Sequence, residues 1–410
     1  MAHKTLIDGT EYEIKGGLTL VEGTSYGVKD GKVLVDGTEY SISFILPPAV
    51  LDLWKGSGDT GIKCLIYAGG YWVAAGQGTS TNYATIAYAT KLNGPWTIKN
   101  LWNGSGTSGS AYIVDIAYAD GYWVALGHRK STYSQVYIAY STSLDGSWTT
   151  RDVGSMGTKI THNPYKLAYS NGTWAFVDKY YDGSKYYARI YHATALSGSW
   201  TYVNLWGENT SSNNNPLCLT YANGYWAVGG IRYESANYAC VYYATELAGS
   251  WSHVDIWNGS YYVASVDAII YADGYWVVGG VRRDSSAGKN YASIAYATTL
   301  GGAWTTVDIW DISSGGVLCL AYANGYWVAG GREYINSSYC AKFAYSTSLS
   351  GAWTVRDAWP AEYQYGSSQG VNDIIFADGW WLIGGQHCVA SSDKRARIAY
   401  AETLDELCSS

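Results

Sequence analysis

The stretch YADGYWVALG at residues 118–127 returns almost unchanged at 221–230 (YANGYWAVGG), 271–280 (YADGYWVVGG) and 322–331 (YANGYWVAGG). Its tryptophan closes seven copies of one pattern, spaced by 51, 51, 52, 50, 51 and 54 residues: Trp72, Trp123, Trp174, Trp226, Trp276, Trp327 and Trp381. Repeats of this length stack on one another, because a single unit cannot bury its own apolar faces. The period therefore predicts one array of seven similar units.

The composition predicts that these units are made of strands. Of 410 residues, 49 are Gly, 41 are Tyr and 20 are Trp, while charged residues make up only 14%. Helical repeats carry far more Ala, Glu, Lys and Leu. Each repeat divides into four short strands, and the first connection is always Gly-Gly, Asp-Gly or Asn-Gly, dipeptides that suit a two-residue type I′ hairpin. We predict an all-β fold, a seven-bladed β-propeller of four-stranded blades spanning residues 46–410.

The third connection of each repeat carries a further motif. In STSLDGSWT at 141–149, the residues Ser143, Asp145, Gly146 and Trp148 resemble the Asp box (Ser-x-Asp-x-Gly-x-x-Trp) of sialidase-type propellers, which lies between the third and fourth strands of a blade. Asp and Gly are adjacent here, and five other copies replace the Asp with Asn, Ser, Ala or Gly. The resemblance covers the propeller region and implies the fold rather than the chemistry.

The two ends of this region are complementary. The last repeat stops at RIAYAETLDELCSS (397–410) without a fourth strand, whereas PPAVLDLW at 47–54 fits the fourth-strand pattern of the other blades. We predict that residues 47–54 complete blade seven. Such a closure leaves no unpaired strand edge in the ring.

Residues 1–45 form a separate region. TLIDGTEYEIKGG, TLVEGTSYGVKDG and VLVDGTEYSIS repeat every 14 residues, and each predicts a small β-hairpin. They resemble the short Gly-Thr-Tyr repeats in tail and fibre proteins of phages and prophages of Gram-positive bacteria. The resemblance implies attachment to a virion, with other virion proteins as partners of residues 1–45. Hairpins this small bury little apolar area, so association with copies of the same chain is the other option.

Several classes of site and partner are not predicted. The sequence shows neither a signal peptide nor a membrane span, and a pI near 5.4 argues against nucleic acid. Neither Cys nor His has metal-ligand spacing, so we expect no metal and no cofactor, free buried thiols, and loop positions for His128, His162 and His387. Nearly all tryptophans are repeat elements, and those best suited to sugar stacking end the fourth strands: Trp54, Trp102, Trp206, Trp257, Trp310 and Trp359.

The two rims of the predicted ring differ. The first and third connections form one rim, here called the uniform rim, and the second connections with the links between blades form the variable rim. The variable rim is rich in Tyr, Ser, Asn and Gly, the residues of adaptable binding surfaces, and in Arg and Lys. We predict an anionic ligand there, bound by Arg129, Tyr133, Tyr181, Tyr187, Arg232, Tyr262, Arg282, Arg283, Arg332 and Tyr365.

Two functions fit these features. The favoured one is a phage virion protein of tail, fibre or baseplate type, whose propeller recognises a host-surface glycan or protein. The alternative is a sialidase-like exo-glycosidase, in which Arg232 and Arg282 bind a carboxylate and Asp115 and Asp373 serve as acid or base. The sequence has no Arg-Ile-Pro segment and no evident Tyr-Glu nucleophile pair, which favours the first interpretation.

Overall fold

The computed structural model describes two short N-terminal hairpins and most of residues 49–408. The hairpins consist of β1 (Lys4–Ile7) with β2 (Thr10–Glu13) and β3 (Gly31–Val35) with β4 (Thr38–Ile42). Within 49–408, the undescribed residues are 57–59, 79–82, 105–108, 131–133, 155–160, 260–263, 336–337, 360–368 and 391–392. The middle hairpin of the predicted three lies outside the described residues.

Seven four-stranded antiparallel sheets form the propeller, which confirms the predicted fold class. Blade 1 contains β6 (Gly61–Ala68), β7 (Tyr71–Gln77), β8 (Tyr83–Ala89) and β9 (Thr97–Asn103). Blade 2 contains β10 (Ala111–Ala119), β11 (Tyr122–Lys130), β12 (Ser134–Ser141) and β13 (Thr149–Asp152). Blade 3 contains β14 (Thr161–Ser170), β15 (Thr173–Tyr181), β16 (Tyr186–Ala193) and β17 (Thr201–Asn209). Blades 4 and 5 contain β18 (Asn215–Ala222), β19 (Tyr225–Tyr233), β20 (Asn237–Ala244) and β21 (Ser252–Gly259); β22 (Ser265–Ala272), β23 (Tyr275–Asp284), β24 (Lys289–Ala297) and β25 (Thr305–Ile312). Blade 6 contains β26 (Gly315–Ala323), β27 (Tyr326–Ile335), β28 (Ser338–Ser346) and β29 (Thr354–Asp357).

Blade 7 is assembled from both ends of the propeller region. It consists of β30 (Gly370–Ala377), β31 (Trp380–Ala390) and β32 (Asp393–Ala401), with β5 (Ala49–Gly56) as its outer strand, and a 3-10 helix (Glu406–Cys408) follows. Strand β5 pairs antiparallel with β32, from Ala49 opposite Tyr400 to Gly56 opposite Lys394. The first strand of each blade contacts the first strand of the next, and β30 contacts β6, so the ring is closed.

The repeated hairpin turns have the geometry that their sequence predicts. At all seven turns both central residues have positive φ, between 47° and 82°. This is the type I′ conformation, whose twist matches that of the flanking strands. The turns set the register of the first two strands in every blade, which places each repeat tryptophan of the second strand opposite an aromatic residue of the first.

The hydrophobic core lies between neighbouring blades. The seven second-strand tryptophans are buried, and each packs against the Tyr or Phe opposite it with ring centroids 4.4–5.1 Å apart. The largest clusters combine side chains of adjacent blades, for example Val73 of blade 1 with Trp123 of blade 2. Burial of each indole contributes on the order of 2–3 kcal/mol, so the repeat aromatics account for much of the stability of the ring.

The six cysteines whose side chains are described are free thiols, and all but Cys340 are buried. Burial raises the pKa of the Cys64 and Cys319 thiols well above the usual value. In the described part of the chain, helical structure is too short and too polar for any helix to cross a membrane.

Candidate functional site

Two of the predicted ligand arginines are engaged inside their own blades. Arg232 Nη2 lies 2.9 Å from Oδ2 of Asp255, and Arg282 Nε donates to Oδ1 of Asp308 at 2.8 Å. Both aspartates stand on fourth strands, β21 and β25. The positive charge of these arginines on the variable rim is therefore compensated by a neighbouring carboxylate.

These aspartates belong to a repeat position of the fourth strand that is acidic in most blades. Its occupants are Asp52, Asn100, Asp152, Asn204, Asp255, Asp308 and Asp357. In blades 6 and 7 it again pairs with cations, since Lys342 Nζ lies 2.8 Å from Asp357 and Arg397 Nε lies 2.7 Å from Asp52. This acidic position can be recognised in the sequence, two residues before the end of the fourth-strand motif. Its carboxylates make the variable rim less basic than the Arg and Lys content alone predicts.

The other predicted ligand residues are dispersed around the rim. Arg129 donates to the Asn103 carbonyl at 2.9 Å, Arg283 donates to Asn290 Oδ1 at 2.9 Å, and Arg332 lies over the Tyr339 ring at 4.5 Å. Tyr181 and Tyr187 both lie in blade 3. Tyr133, Tyr262 and Tyr365 lie outside the described residues. Tyr181 pairs with Tyr186 and Tyr187 with Tyr180, so the two predicted tyrosines lie on opposite faces of the sheet. Among the described predicted residues, Arg282 and Arg283 line one hollow.

The two aspartates predicted as acid or base in a glycosidase connect the inner strands of neighbouring blades. Each first strand contains a β-bulge, and Asp115 and Asp373 follow the bulges of β10 and β30. Asp115 accepts a hydrogen bond from the backbone N–H of Leu167 at 2.9 Å, and Asp373 accepts one from that of Leu65 at 2.8 Å, in both cases from the next blade. These carboxylates therefore already link neighbouring blades.

A cation interacts with both aspartates: Lys166 Nζ lies 3.4 Å from Oδ1 of Asp115 in the neighbouring blade. Burial opposes the charge of Lys166, but the carboxylates of Asp115 and Asp373 outweigh it and raise the pKa of the ammonium. Lys166 belongs to blade 3 and Asp373 to blade 7, so this interaction spans the ring. Burial also raises the pKa of Asp373 to about 6. Since Arg232 and Arg282 pair with fourth-strand aspartates of their own blades, the four residues are not assembled into one site.

One blade lacks the tryptophan that ends the fourth strand. Six blades carry it, and all six indoles are buried: Trp54, Trp102, Trp206, Trp257, Trp310 and Trp359. Trp102 and Trp206 donate to the His128 and Ile231 carbonyls of the following blade, at 3.2 and 2.8 Å. These side chains fill the gaps between blades, as expected of repeat elements, and their burial makes them unavailable for sugar stacking. In blade 2 the position is Gly154.

A cavity of about 340 Å³ lies at this gap between blades 2 and 3. Its described wall consists of Val153, Gly154, His162, Tyr180, Arg189, Tyr191, Trp200, Thr201 and Tyr202. Strand β13 ends at Asp152, two residues before Gly154, whereas most fourth strands continue through the tryptophan position. The described part of the blade 2 fourth strand therefore supplies no indole to cover this part of blade 3.

Arg189 is the central cation of the cavity. Its guanidinium lies 3.4 Å from the ring centroid of Tyr180 and 4.1 Å from that of Tyr202, and its Nε donates to Asn204 Oδ1 at 2.8 Å. Asn204 occupies the fourth-strand position that is an aspartate in most blades. Arg189 is therefore held by aromatic stacking and a neutral amide, where Arg232 and Arg282 have a carboxylate.

A second cavity, of about 420 Å³, adjoins the first and shares His162 with it. Its remaining described wall consists of Ser110, Tyr112, His128, Lys130, Ser134, Asn163, Lys179, Tyr181 and Tyr186. The rings of Tyr181 and Tyr186 stack with centroids 4.4 Å apart, and Lys179 Nζ lies 5.3 Å from the Tyr186 ring. We call the two cavities together the blade 2–3 groove.

The described wall of the blade 2–3 groove carries cations without carboxylates. Lys130, Lys179 and Arg189 line it, and no Asp or Glu is among its described lining residues. Burial lowers the pKa of Lys179, so this ammonium gains from an anion that approaches it. An aromatic groove with this charge fits a ring compound that bears a carboxylate or phosphate group.

The positions of three histidines, two of which line the groove, differ from our prediction. His128, His162 and His387 were expected in loops, but they lie in strands β11, β14 and β31 and are buried, because these strands extend further toward the variable rim than predicted. His162 Nδ1 lies 2.6 Å from Oδ2 of the buried Asp178. Burial, with a smaller contribution from Lys130, lowers the pKa of His128 to about 4.

Three buried nitrogens at the groove lack a hydrogen-bond partner among the described residues. They are His128 Nδ1, His162 Nε2 and Trp200 Nε1. Five other tryptophans at the repeat position of Trp200 donate to the carbonyl four residues earlier, as Trp148 does to Leu144 at 3.2 Å. The Leu196 carbonyl, which is the equivalent acceptor four residues before Trp200, instead accepts from Arg151 Nη1.

Comparison with known proteins supports the fold. No protein family and no curated protein matches the sequence. Among solved structures, polysaccharide lyase Uly1 is similar with a TM-score of 0.52 and 11% identity, over 90% of this chain and 93% of that one. Phage phi92 endosialidase has a TM-score of 0.48 and 11% identity, over 90% and 71%. A Trypanosoma rangeli sialidase in complex with sialic acid has a TM-score of 0.45 and 10% identity, over 88% and 59%. At such identities the likeness concerns the fold alone.

Proposed function

We propose that the protein is a glycan-binding propeller whose blade 2–3 groove binds an acidic sugar or sugar phosphate of a surface polymer. The observation that carries this proposal is the cavity beside Gly154, the residue that stands where six blades carry a tryptophan; its described wall is aromatic and contains Arg189. Tyr180, Tyr202 and Trp200 offer faces for a sugar ring, and Arg189 offers a guanidinium for its acidic group. The fold is also that of a polysaccharide lyase, so it is compatible with long glycans.

The cellular role that we propose is host recognition by a phage particle. Residues 1–45 resemble repeats of phage tail and fibre proteins, and they would attach the propeller to other virion proteins. The groove would then bind an acidic capsule or a teichoic acid on the host surface. In this arrangement residues 1–45 attach the chain to the particle, and the variable rim binds the host glycan.

Filling the cavity tests the site. Gly154→Trp introduces the residue that six other blades carry, and a Cβ at this position would meet the buried His162 ring at 3.1 Å. We therefore expect it to weaken binding to an acidic glycan by at least about tenfold and also to lower the melting temperature, because His162 must shift. Tyr202→Ala removes one of the two rings that stack on Arg189, so it should also weaken binding. The Tyr202 side chain is 48% exposed, so its loss should leave the fold intact. Titrations with polysialic acid, hyaluronan and glycerol teichoic acid, read by calorimetry, supply the affinities.

The matched control lies on the same rim. The double variant Arg282→Ser, Arg283→Ser removes two cations from the hollow lined by Trp257 and Asp308, and it should bind as the wild type does. Wild-type affinity should fall with added salt, because charge interactions are screened over about 8 Å at physiological ionic strength. Equal binding by Gly154→Trp and wild type, or loss of binding in the control alone, would contradict the assignment of the groove. Release of sugars in the same mixtures would instead support the exo-glycosidase.

A further inference from the structure

A different cavity lies on the uniform rim, between blades 7 and 1. It has a volume of about 240 Å³, and its wall includes Trp380, Tyr400, Lys91, Asn93 and Asp378. Sites for drug-sized ligands measure roughly 300–1,000 Å³, so this cavity suits a single ring. It is formed by the hairpin turn of β30–β31 and the third connection of blade 1, on the opposite side of the ring from the blade 2–3 groove.

Trp380 is the one tryptophan that does not belong to the repeat. The other blades carry a smaller residue at its position: Tyr71, Tyr122, Thr173, Tyr225, Tyr275 and Tyr326. In the five blades with Tyr, the ring packs edge to face on a third-strand Tyr, with centroids 5.8–6.1 Å apart. Trp380 makes the same contact with Tyr400 at 5.5 Å. Tyrosine therefore satisfies the packing, and the larger indole is not required by the fold.

The polar groups around the indole are of both signs. Lys91, Asn93 and Asp378 are exposed at the mouth of the cavity, so an ammonium, an amide and a carboxylate surround the partly exposed indole. One cation and one anion cancel, which distinguishes this cavity from the cation-lined blade 2–3 groove. An aromatic face with such donors and acceptors suits the apolar C–H face and the hydroxyls of an uncharged sugar.

We propose that this cavity is a second carbohydrate site, which binds one neutral hexopyranose unit on Trp380. The indole stacks on the sugar ring, Asp378 accepts hydrogen bonds from its hydroxyls, and Lys91 and Asn93 donate to them. The inference does not depend on the proposed function of the groove. With both sites, one chain would bind glycan at two opposite rims.

Saturation-transfer NMR with the full-length protein tests the site, using maltotriose and chitotriose as neutral probes and trigalacturonic acid as the acidic one. We expect saturation of the neutral probes by the wild type, at least about fivefold weaker saturation with Trp380→Tyr, and none with Trp380→Ala. Trp380→Tyr restores the residue of five other blades and so keeps the fold. Lys91→Ala should weaken the signal as well, and the signal should not change with salt.

The outcomes separate the two sites. Tyr202→Ala should leave the neutral-probe signal unchanged, and Trp380→Tyr should leave acidic-glycan binding at the groove unchanged. No saturation of either neutral probe by the wild type, or equal saturation with all Trp380 variants, overturns the second site whatever the groove binds. Loss of the neutral signal in Tyr202→Ala would place that binding in the groove and would also overturn the proposal.

Discussion

Single residues decide what each cation of the variable rim can do. Arg282 and Arg189 are both close to aromatic rings, yet Arg282 bonds to Asp308 and Arg189 bonds to Asn204. The exchange of one carboxylate for an amide leaves the Arg189 charge without that compensation. A count of basic residues does not distinguish the two arginines, because the partner is supplied by another strand.

Asp267 in strand β22 provides a test of how the charge of a buried carboxylate affects stability. It follows Val266 in the bulge of β22 and accepts a hydrogen bond from Ser265, while burial raises its pKa to about 6. An unfolded aspartate has a pKa of about 3.9, so the folded state binds the proton more tightly. The stability that protonation of Asp267 contributes to the folded state is fully present below about pH 4 and is lost as the pH rises through about 6.

Replacing Asp267 with Asn should remove this pH dependence. We expect the melting temperature of Asp267→Asn to exceed that of the wild type at about pH 7, and the difference to shrink toward about pH 4.5. Asp284→Asn is the control, because the Ser286 hydroxyl and nearby backbone N–H groups lower the pKa of Asp284 to about 2, outside this window. Melting curves of the three proteins across the range supply the measurement. A constant difference for Asp267→Asn would mean that its ionisation does not affect stability.

At the scale of elements, the fourth strand has two functions. In blade 7 it closes the ring: β5 pairs with β32, and Trp54 donates to the Gln77 carbonyl of blade 1 at 2.7 Å. In blade 2 it stops early and opens the groove. The same strand position therefore stabilises the ring in blade 7 and borders the proposed binding groove in blade 2.

Deletions test the closing strand. Removal of residues 1–45 should leave the propeller folded, whereas removal of 1–56 should lower the melting temperature or cause aggregation. The second deletion exposes the edge of β32, removes the buried indole of Trp54 and leaves Arg395 and Arg397 without Asp52. Thermal melts and light scattering compare the two fragments. Identical melting temperatures would argue against a structural role for β5.

At the scale of the whole molecule, the hairpins and the propeller are expected to divide attachment and recognition. Hairpins of two strands, such as β1–β2 and β3–β4, are at best marginally stable alone. We expect residues 1–45 to associate with another virion protein or with copies of the chain. Sedimentation of the full chain and of residues 46–410 tests self-association, and co-purification with particle proteins tests attachment. A full-length monomer that binds none of them would contradict this role.

The sequence by itself determined the repeat and therefore the fold. Seven Trp spacings, seven turn dipeptides and the alternation of strands are local features, and a local turn or strand is specified by residues adjacent in the chain. Gly154 and Asn204 were also visible as departures from the repeat, and a position-by-position comparison of fourth strands could have found them.

Only the tertiary structure decided which side chains these departures meet. Gly154 of blade 2 lines one cavity with His162, Arg189 and Tyr202 of blade 3 because the two blades pack side by side. Likewise, the partners of Arg232 and Arg282 come from strands two positions away in the sheet. Contacts of this kind depend on packing between distant segments. Composition therefore predicts that a rim is basic, and only the folded arrangement determines where a charge is left to bind a ligand.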